Sequence, residues 1–444
     1  MTTASLFSVW TACVLAAVPA GTELKYTGKL EKAETQAAAV DKTFSLTVLV
    51  TAPGQFAFLV DERGGGGWNW PQRFGFVDRA DDKAVGVRLL YDFEGSPTPL
   101  PVRQPFFEFM DRLTPNSQWT ESGGQYSFLR DRMLNGRDVA VVEVTLDRGR
   151  RQQLQIERSS GLVAALEERL FLGRGDAFRL TMQLEGTRVV EPAELESAVK
   201  ITRALFDLQE QLSPPDALHR SILTAAEIDR AQQVVTALGP VGDTTWGRLV
   251  TAIQRDLTVQ SRRLEGVTGL EKKYLGQSAA VSGEWKRLDG QPLATSETLG
   301  HTTVLHFWEY GGEKLIEPYG QVGYLDFLNN RRGKLGVKVV GVAVDPRFAD
   351  ASQARAAARS IRKFQEFMNV SFPITVDDGT LLTKFGDPRT LGSELPLWVV
   401  VGHDGKIAHY KVGYYDLKPD EGLRELDAAV VEALKKEKAA ARGQ

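Results

Sequence analysis

The stretch that most constrains this chain is Leu288–Glu317, LDGQPLATSETLGHTTVLHFWEYGGEKLIE. A polar lead-in with an Asp289-Gly290 turn precedes a short apolar strand, Thr303–Trp308, and the pair Gly311-Gly312 then opens into an amphipathic helix over Lys314–Arg331. Such a strand, glycine turn and helix begin a βα unit. The residues that follow keep the same alternation. Lys338–Val344 (KVVGVAV) is a continuous apolar run, as expected of a strand covered on both faces in a parallel sheet. Ala351–Met368 reads as a helix and Phe372–Val376 as a strand leading into Asp377-Asp378-Gly379. Leu397–Val401 and Ile407–Val412 flank the turn Gly402–Lys406, and Pro419–Lys438 closes the chain as a charged amphipathic helix. The order β-α-β-α-β-β-α predicts parallel strands layered with helices and an antiparallel hairpin at one edge.

Five short motifs in this region resemble the redoxin domains of the thioredoxin superfamily, in the style of TlpA/ResA-like proteins and the AhpC/TSA group. They are Leu288-Asp289-Gly290, Phe307-Trp308, Val342-Ala343-Val344-Asp345, Leu395-Pro396 and Asp404-Gly405-Lys406-Ile407. The resemblance implies a thioredoxin-like fold for residues 277–444, a cis peptide before Pro396, and a pair of cysteines shortly after Trp308. The cysteines are missing. An ungapped overlay on Phe307-Trp308 puts Gly312 and Leu315 at their positions, and an overlay on Glu317-Pro318 puts Tyr310 and Glu313 there. Trp308, Tyr310, Gly311, Gly312, Glu313 and Leu315 are therefore the positions of a degenerate active site. Dithiol exchange needs a thiolate and a resolving partner, and peroxide reduction needs at least one thiolate.

The single cysteine of the chain, Cys13, sits inside an apolar run, Leu6–Ala17, that is too short to span a bilayer and ends in Val18-Pro19-Ala20. This pattern reads as a secretory signal peptide over residues 1–20, although MTTAS before it carries no Lys or Arg. Cleavage after Ala20 would leave a mature chain with no cysteine, hence no disulfide, thiolate nucleophile or Cys metal site, in a periplasmic or extracellular setting.

Residues 21–190 read as antiparallel β-structure. Phe44–Thr51, Gln55–Val60, Val139–Leu146, Arg151–Glu157, Ala164–Leu172 and Phe178–Leu184 are strand-like runs joined by short turns, and QLQIE and FRLTM alternate cleanly. That is a meander with one wet face and one apolar face. Gln104–Leu113 (QPFFEFMDRL) is a candidate helix to cover the apolar face. Glu157–Leu162 (ERSSGL) resembles the D-x-x-T-G-L turn of LolA/LolB-like curved sheets, which implies a lipid-like ligand. Gly64–Gly67 with Trp68-Asn69-Trp70-Pro71 reads as a hairpin tip whose tryptophans fold back. Arg174-Gly175-Asp176 is explained by turn chemistry.

Residues 191–276 form a helical connector. Pro192 opens a helix ended by Ser213-Pro214-Pro215, Thr224–Leu238 begins with a Thr224/Glu227 capping box and stops at Gly239-Pro240, and Asp243–Leu264 is a third helix. The chain is thus expected to be multidomain: signal peptide, antiparallel β-rich domain, helical connector, and α/β thioredoxin-like domain over 277–444.

A net charge of −3 without a Lys/Arg run gives no nucleic-acid patch. His219, His301, His306, His403 and His409 show no metal-ligand spacing, and no Walker or G-x-S-x-G sequence occurs, so no metal or cofactor is implied. The sequence reads as a secreted or periplasmic protein whose redoxin-like domain is a non-catalytic binding or structural module. Its partner would be an envelope protein or a lipid-like ligand, with no transmembrane helix in the mature chain. The alternative, implied by the resemblance alone, is a thiol-disulfide oxidoreductase or peroxiredoxin-like protein.

Overall fold

A computed structural model describes residues 18–33, 40–63, 70–78, 83–93, 96–121, 123–146, 149–172, 175–212, 223–279, 284–294, 300–309, 321–415, 417 and 422–442. The chain divides into two compact units, Met1–Leu257 and Thr258–Gln444.

The first unit is built on β1 (Thr22–Lys32), β2 (Val40–Ala52), β3 (Gln55–Arg63), the short helix α1 (Trp70–Arg73), β4 (Phe74–Asp78) and β5 (Lys83–Val85). A hairpin of β6 (Arg88–Phe93) and β7 (Ser96–Pro101) follows. Then come β8 (Gln118–Glu121), β9 (Gly124–Leu134), β10 (Arg137–Thr145), β11 (Arg151–Glu157), β12 (Val163–Leu172) and β13 (Asp176–Val189). Apart from the hairpin, the strands form one eleven-stranded antiparallel sheet, β5-β4-β3-β2-β1-β13-β12-β11-β10-β9-β8. Two meanders are thereby joined where β1 pairs with β13, Tyr26 opposite Leu184 and Leu30 opposite Leu180.

The period-two pattern decides which face is buried. Leu24, Tyr26, Leu46, Val48, Phe56, Phe58, Val142, Leu154, Ile156 and Leu180 point to one interior, while Arg151 and Gln153 of β11 stay in water. The hairpin contributes Leu89 and Leu100 to that interior. The segment Gln104–Leu113 fills it too, but not as a helix. Phe107 donates its N–H to the Gly161 carbonyl (2.9 Å) and Val163 donates to the Pro105 carbonyl (2.9 Å), so the chain runs alongside the β11–β12 turn, and only Met110–Arg112 coils into a 3-10 turn. Pro105 has no N–H to give a helix, and the extended backbone lets Phe106 and Phe107 both bury. The turn they approach needs Gly161, whose φ is +72° and whose Cβ, if it had one, would lie 3.3 Å from the Phe107 carbonyl oxygen. Trp70 is buried, whereas Gly64–Asn69 and Arg174 lie outside the described residues.

Three further helices are α2 (Pro192–Gln211), α3 (Ala225–Leu238) and α4 (Thr245–Tyr274). Thr224 caps α3 through the Glu227 N–H while the Glu227 carboxylate accepts from the Thr224 N–H, two otherwise orphan donors satisfied at once. Helix α4 continues past Leu264, where the sequence pattern ended it. It runs through Gly266, where an added Cβ would lie 3.2 Å from Leu391 Cδ1.

The second unit holds a small pair, β14 (Glu284–Lys286) and β15 (Pro292–Ala294), and a five-stranded mixed sheet. The five strands are β16 (Thr303–Glu309), β17 (Lys338–Val344), β18 (Ile374–Asp377), β19 (Leu397–Val401) and β20 (Ile407–Val412), ordered β18-β17-β16-β19-β20. The first three are parallel, and β19 and β20 are antiparallel. Helices α5 (Val322–Arg332), α6 (Ala351–Phe367) and α8 (Arg424–Arg442) pack Leu325, Ile361 and Leu426 on one face with Val304, Trp308 and Val339. Leu382 of α7 (Thr380–Lys384), Phe385, Trp285, Leu293, Leu270 and Tyr274 cover the other with Phe307, Val340 and Val399. This unit has a thioredoxin-like topology: parallel strands joined through helices, then an antiparallel hairpin and a closing helix. No helix among the described residues is long and apolar enough to cross a membrane.

Candidate functional site

In an α/β sheet, chemistry gathers beyond the carboxyl ends of the parallel strands. Here β16 ends at Glu309, β17 runs into Asp345, β18 ends at Asp377, and the Leu395–Pro396 peptide, which is cis, precedes β19. Phe307 pairs with Leu397, so Pro396 stands one step along the ladder, beside Trp308. Trp308 itself is core, 3% exposed, its ring 5.2 Å from that of Phe364. Tyr310, Gly311, Gly312, Glu313 and Leu315, with the first part of the helix expected from Lys314, lie outside the described residues; helix α5 is described from Val322.

The charged groups at this edge are consumed by one another and by backbone. Arg389 donates Nε and Nη2 to Asp387 (2.9 and 2.7 Å) and Nη1 to Glu309 (3.1 Å). The Asp387 and Glu309 carboxylates hold the Arg389 guanidinium above its ordinary pKa. Burial pushes the Asp387 carboxyl up, but the Arg389 guanidinium and N–H outweigh it and leave Asp387 below the usual range. Asp345 takes the Arg347 side chain and N–H, and Asp377 accepts the Leu381 and Leu382 N–H groups at 2.9 Å, capping α7. No group of His, Cys, Asp and Glu among the described residues could hold a metal ion.

A second device fixes the start of α5. Gln321 has φ +62° and is 1% exposed. Its amide donates to the Tyr415 carbonyl (2.6 Å) and accepts the Tyr415 N–H (3.0 Å), an amide-to-peptide clamp across the sheet end. The Tyr415 hydroxyl meets His409 Nε2 at 2.8 Å, and Gly413 donates its N–H to the Pro396 carbonyl. Burial pushes the His409 pKa down, with Lys411 adding to that and Glu425 opposing it. His306 is fully buried and stacked on Trp398 at 3.9 Å, a packed core histidine; His301 and His403 lie in turns. None of these links shows as a motif, because Gln321 and Tyr415 are 94 residues apart and Arg389 and Glu309 are 80 apart.

No family model matches the chain, and comparison with curated proteins finds no relative. Among solved structures, a secreted Mycobacterium tuberculosis disulfide oxidoreductase described as homologous to E. coli DsbE is 18% identical, covers 34% of this chain and 95% of its own, and has a TM-score of 0.26. A putative DsbE thiol:disulfide interchange protein of Chlorobium tepidum gives 20%, 36%, 97% and 0.27. A putative thioredoxin of Neisseria meningitidis gives 18%, 38%, 97% and 0.29.

Proposed function

We propose that the second unit is a thioredoxin-like module that has given up thiol chemistry and works as a binding or structural element of an exported, secreted or periplasmic protein. One observation carries this reading. The only cysteine is Cys13, and neither overlay on the degenerate site supplies a thiol at Tyr310, Gly312, Glu313 or Leu315. No other side chain replaces a thiolate in disulfide exchange. The mutual neutralisation of Glu309, Arg389 and Asp387 supports the same reading. Export is proposed from Leu6–Ala20 alone. The layout that goes with it is a β-rich domain over 21–190, a helical connector over 191–276 and the redoxin-like domain from 277. Thiol–disulfide oxidoreductase or peroxiredoxin activity is not favoured. The test is insulin reduction and peroxide consumption by the purified protein, with rates expected at the blank. Turnover above the blank overturns the proposal, and N-terminal sequencing of extracytoplasmic protein that returns Met1 or Thr2 removes the export half.

A further inference from the structure

We propose that the outer face of the α5–α6 layer in the second unit docks on an anionic phospholipid surface. Helix α6 buries Ala357, Ile361 and Phe364 against the sheet. At 100° per residue the opposite face carries Arg355, Arg359, Arg362 and Lys363, all exposed, with Glu366 the one acid among them. Arg362 donates to the Leu288 carbonyl. Arg355, Arg359 and Lys363 form no ion pair among the described residues.

The same layer leaves aromatic rings in water. Phe367, at the end of α6, is 74% exposed, and Phe327, on the outer face of α5, is 66% exposed. The two helices meet close by. A Cβ on Gly323, one turn before Phe327, would lie 3.6 Å from Met368 Cε, and the Asp326 carboxylate accepts the Ser371 N–H at 2.7 Å. From Arg355 to Phe367 the face runs about 18 Å at 1.5 Å per residue.

Unpaired cations beside solvent-exposed rings ask for a partner that is anionic in a plane and apolar just beneath it. An anionic headgroup layer over an acyl boundary offers both. A nucleic-acid duplex would meet the cations through its phosphates but offers no apolar layer for Phe327 and Phe367. An acidic protein groove would satisfy the cations but leaves the two convex rings unexplained.

The whole chain is to be sedimented with vesicles of phosphatidylcholine and phosphatidylglycerol in equal parts, and with pure phosphatidylcholine. Binding is expected only to the anionic vesicles, falling as salt rises. Arg359→Gln with Lys363→Gln should weaken it about 30-fold, at ~1 kcal/mol per cation. Phe327→Ser with Phe367→Ser should remove the part that survives high salt. All four side chains are exposed, so an unchanged melting temperature is expected; if either pair misfolds, Arg355→Gln with Arg359→Gln serves instead. Equal binding to both vesicles overturns the proposal, as does an unchanged affinity in the charge variant. Capture of soluble polyglutamate or duplex DNA without vesicle binding also overturns it, and reassigns the face to an acidic protein or to nucleic acid.

Discussion

The two sheets of this protein solve burial in opposite ways. In the first unit a strand such as β11 alternates, burying Gln152, Leu154 and Ile156 and exposing Arg151 and Gln153, because much of its far face is wet. In the second, β19 is buried at every position and β16 and β17 at all but one, because helices or apolar loops cover both faces. The consequence is where polar groups can live. In the doubly covered sheet the carboxylates sit at or just past the strand ends, at Glu309, Asp345 and Asp377, while His306 inside β16 is packed against Trp398. In the first sheet charges occur along the strands and several are buried; one buried group is Lys42 and Glu62 with Arg73 of α1.

That trio supplies the largest expected effect. Glu62 accepts from Lys42 Nζ (3.2 Å) and Arg73 Nη2 (2.9 Å), and both carboxylate and ammonium are 1% exposed. Glu62→Gln should cost about 3–5 kcal/mol, because Lys42 and Arg73 both lose a buried carboxylate, although Asp61 still lies 4.0 Å from Arg73 Nη1. The matching ion pair of the second unit, Arg332 with Asp427 at 2.6 Å, lies nearer water, 17% and 22% exposed. Asp427→Asn should cost only about 1–2 kcal/mol. Urea unfolding of both variants tests the contrast, and equal losses would break it.

Next comes the boundary. Tyr274 stacks on Tyr410 with centroids 5.6 Å apart, and Leu270 and Tyr274 pack against the core that Leu382 and Phe385 line. A fragment 258–444 should unfold cooperatively. A fragment 277–444, lacking both side chains, should be less stable by about 2–3 kcal/mol. Identical denaturation midpoints would show that the end of α4 is dispensable to this unit.

Gly28 is a smaller lever on the same contrast. A Cβ there would lie 2.2 Å from Phe44 Cζ and 2.6 Å from the Thr181 carbonyl oxygen, which cannot retreat within its ladder. Gly28→Ala should cost about 1–3 kcal/mol, read as a lowered melting temperature. At Gly341 of β17 the nearest atom is Phe372 Cε2 at 3.0 Å, a ring that can give, so Gly341→Ala should cost less.

Much of the fold was legible because each sheet follows its own rule. Alternation located Arg151–Glu157, and continuous apolarity located Lys338–Val344. The Asn135-Gly136 turn, with φ of 49° and 79°, carries the hairpin signal for β9–β10. The hairpin β6–β7 was hidden by Pro97, Pro99 and Pro101, which suit a two-stranded ribbon and not a central strand. Gln104–Leu113 looked helical because its apolar residues cluster, yet Pro105 and the waiting interior favour an extended path. In the site, Pro396 and Trp308 are marked by motif, whereas Gln321, Arg389 and Tyr415 gain their roles only when distant segments meet. The α6 cations are a further case. RAAARSIRK is no basic run, and helical spacing alone gathers its charges.

The smallest effect separates the units by pH. Among the described residues histidine occurs only in the second unit, and the pKa of His409 there is lowered, chiefly by burial. A histidine whose folded pKa lies below its unfolded value of about 6.5 binds more protons when unfolded, so its contribution is complete above that pH and drains away as pH falls toward the folded value. In the first unit, hydrogen bonds from Lys29 to Glu31 and from Arg188 to Glu194 hold those carboxyls low. Their contribution is present above the unfolded carboxylate pKa of about 4.3 and is lost only as pH drops below it. Acidification should therefore weaken the second unit first, below about pH 6.5. His409→Gln, whose amide oxygen can still accept the Tyr415 hydroxyl, should flatten that early slope and leave the later one intact. Guanidinium midpoints followed by amide exchange in each unit between pH 4 and 8 would read this, and an unchanged slope in the variant would assign the early loss to another group.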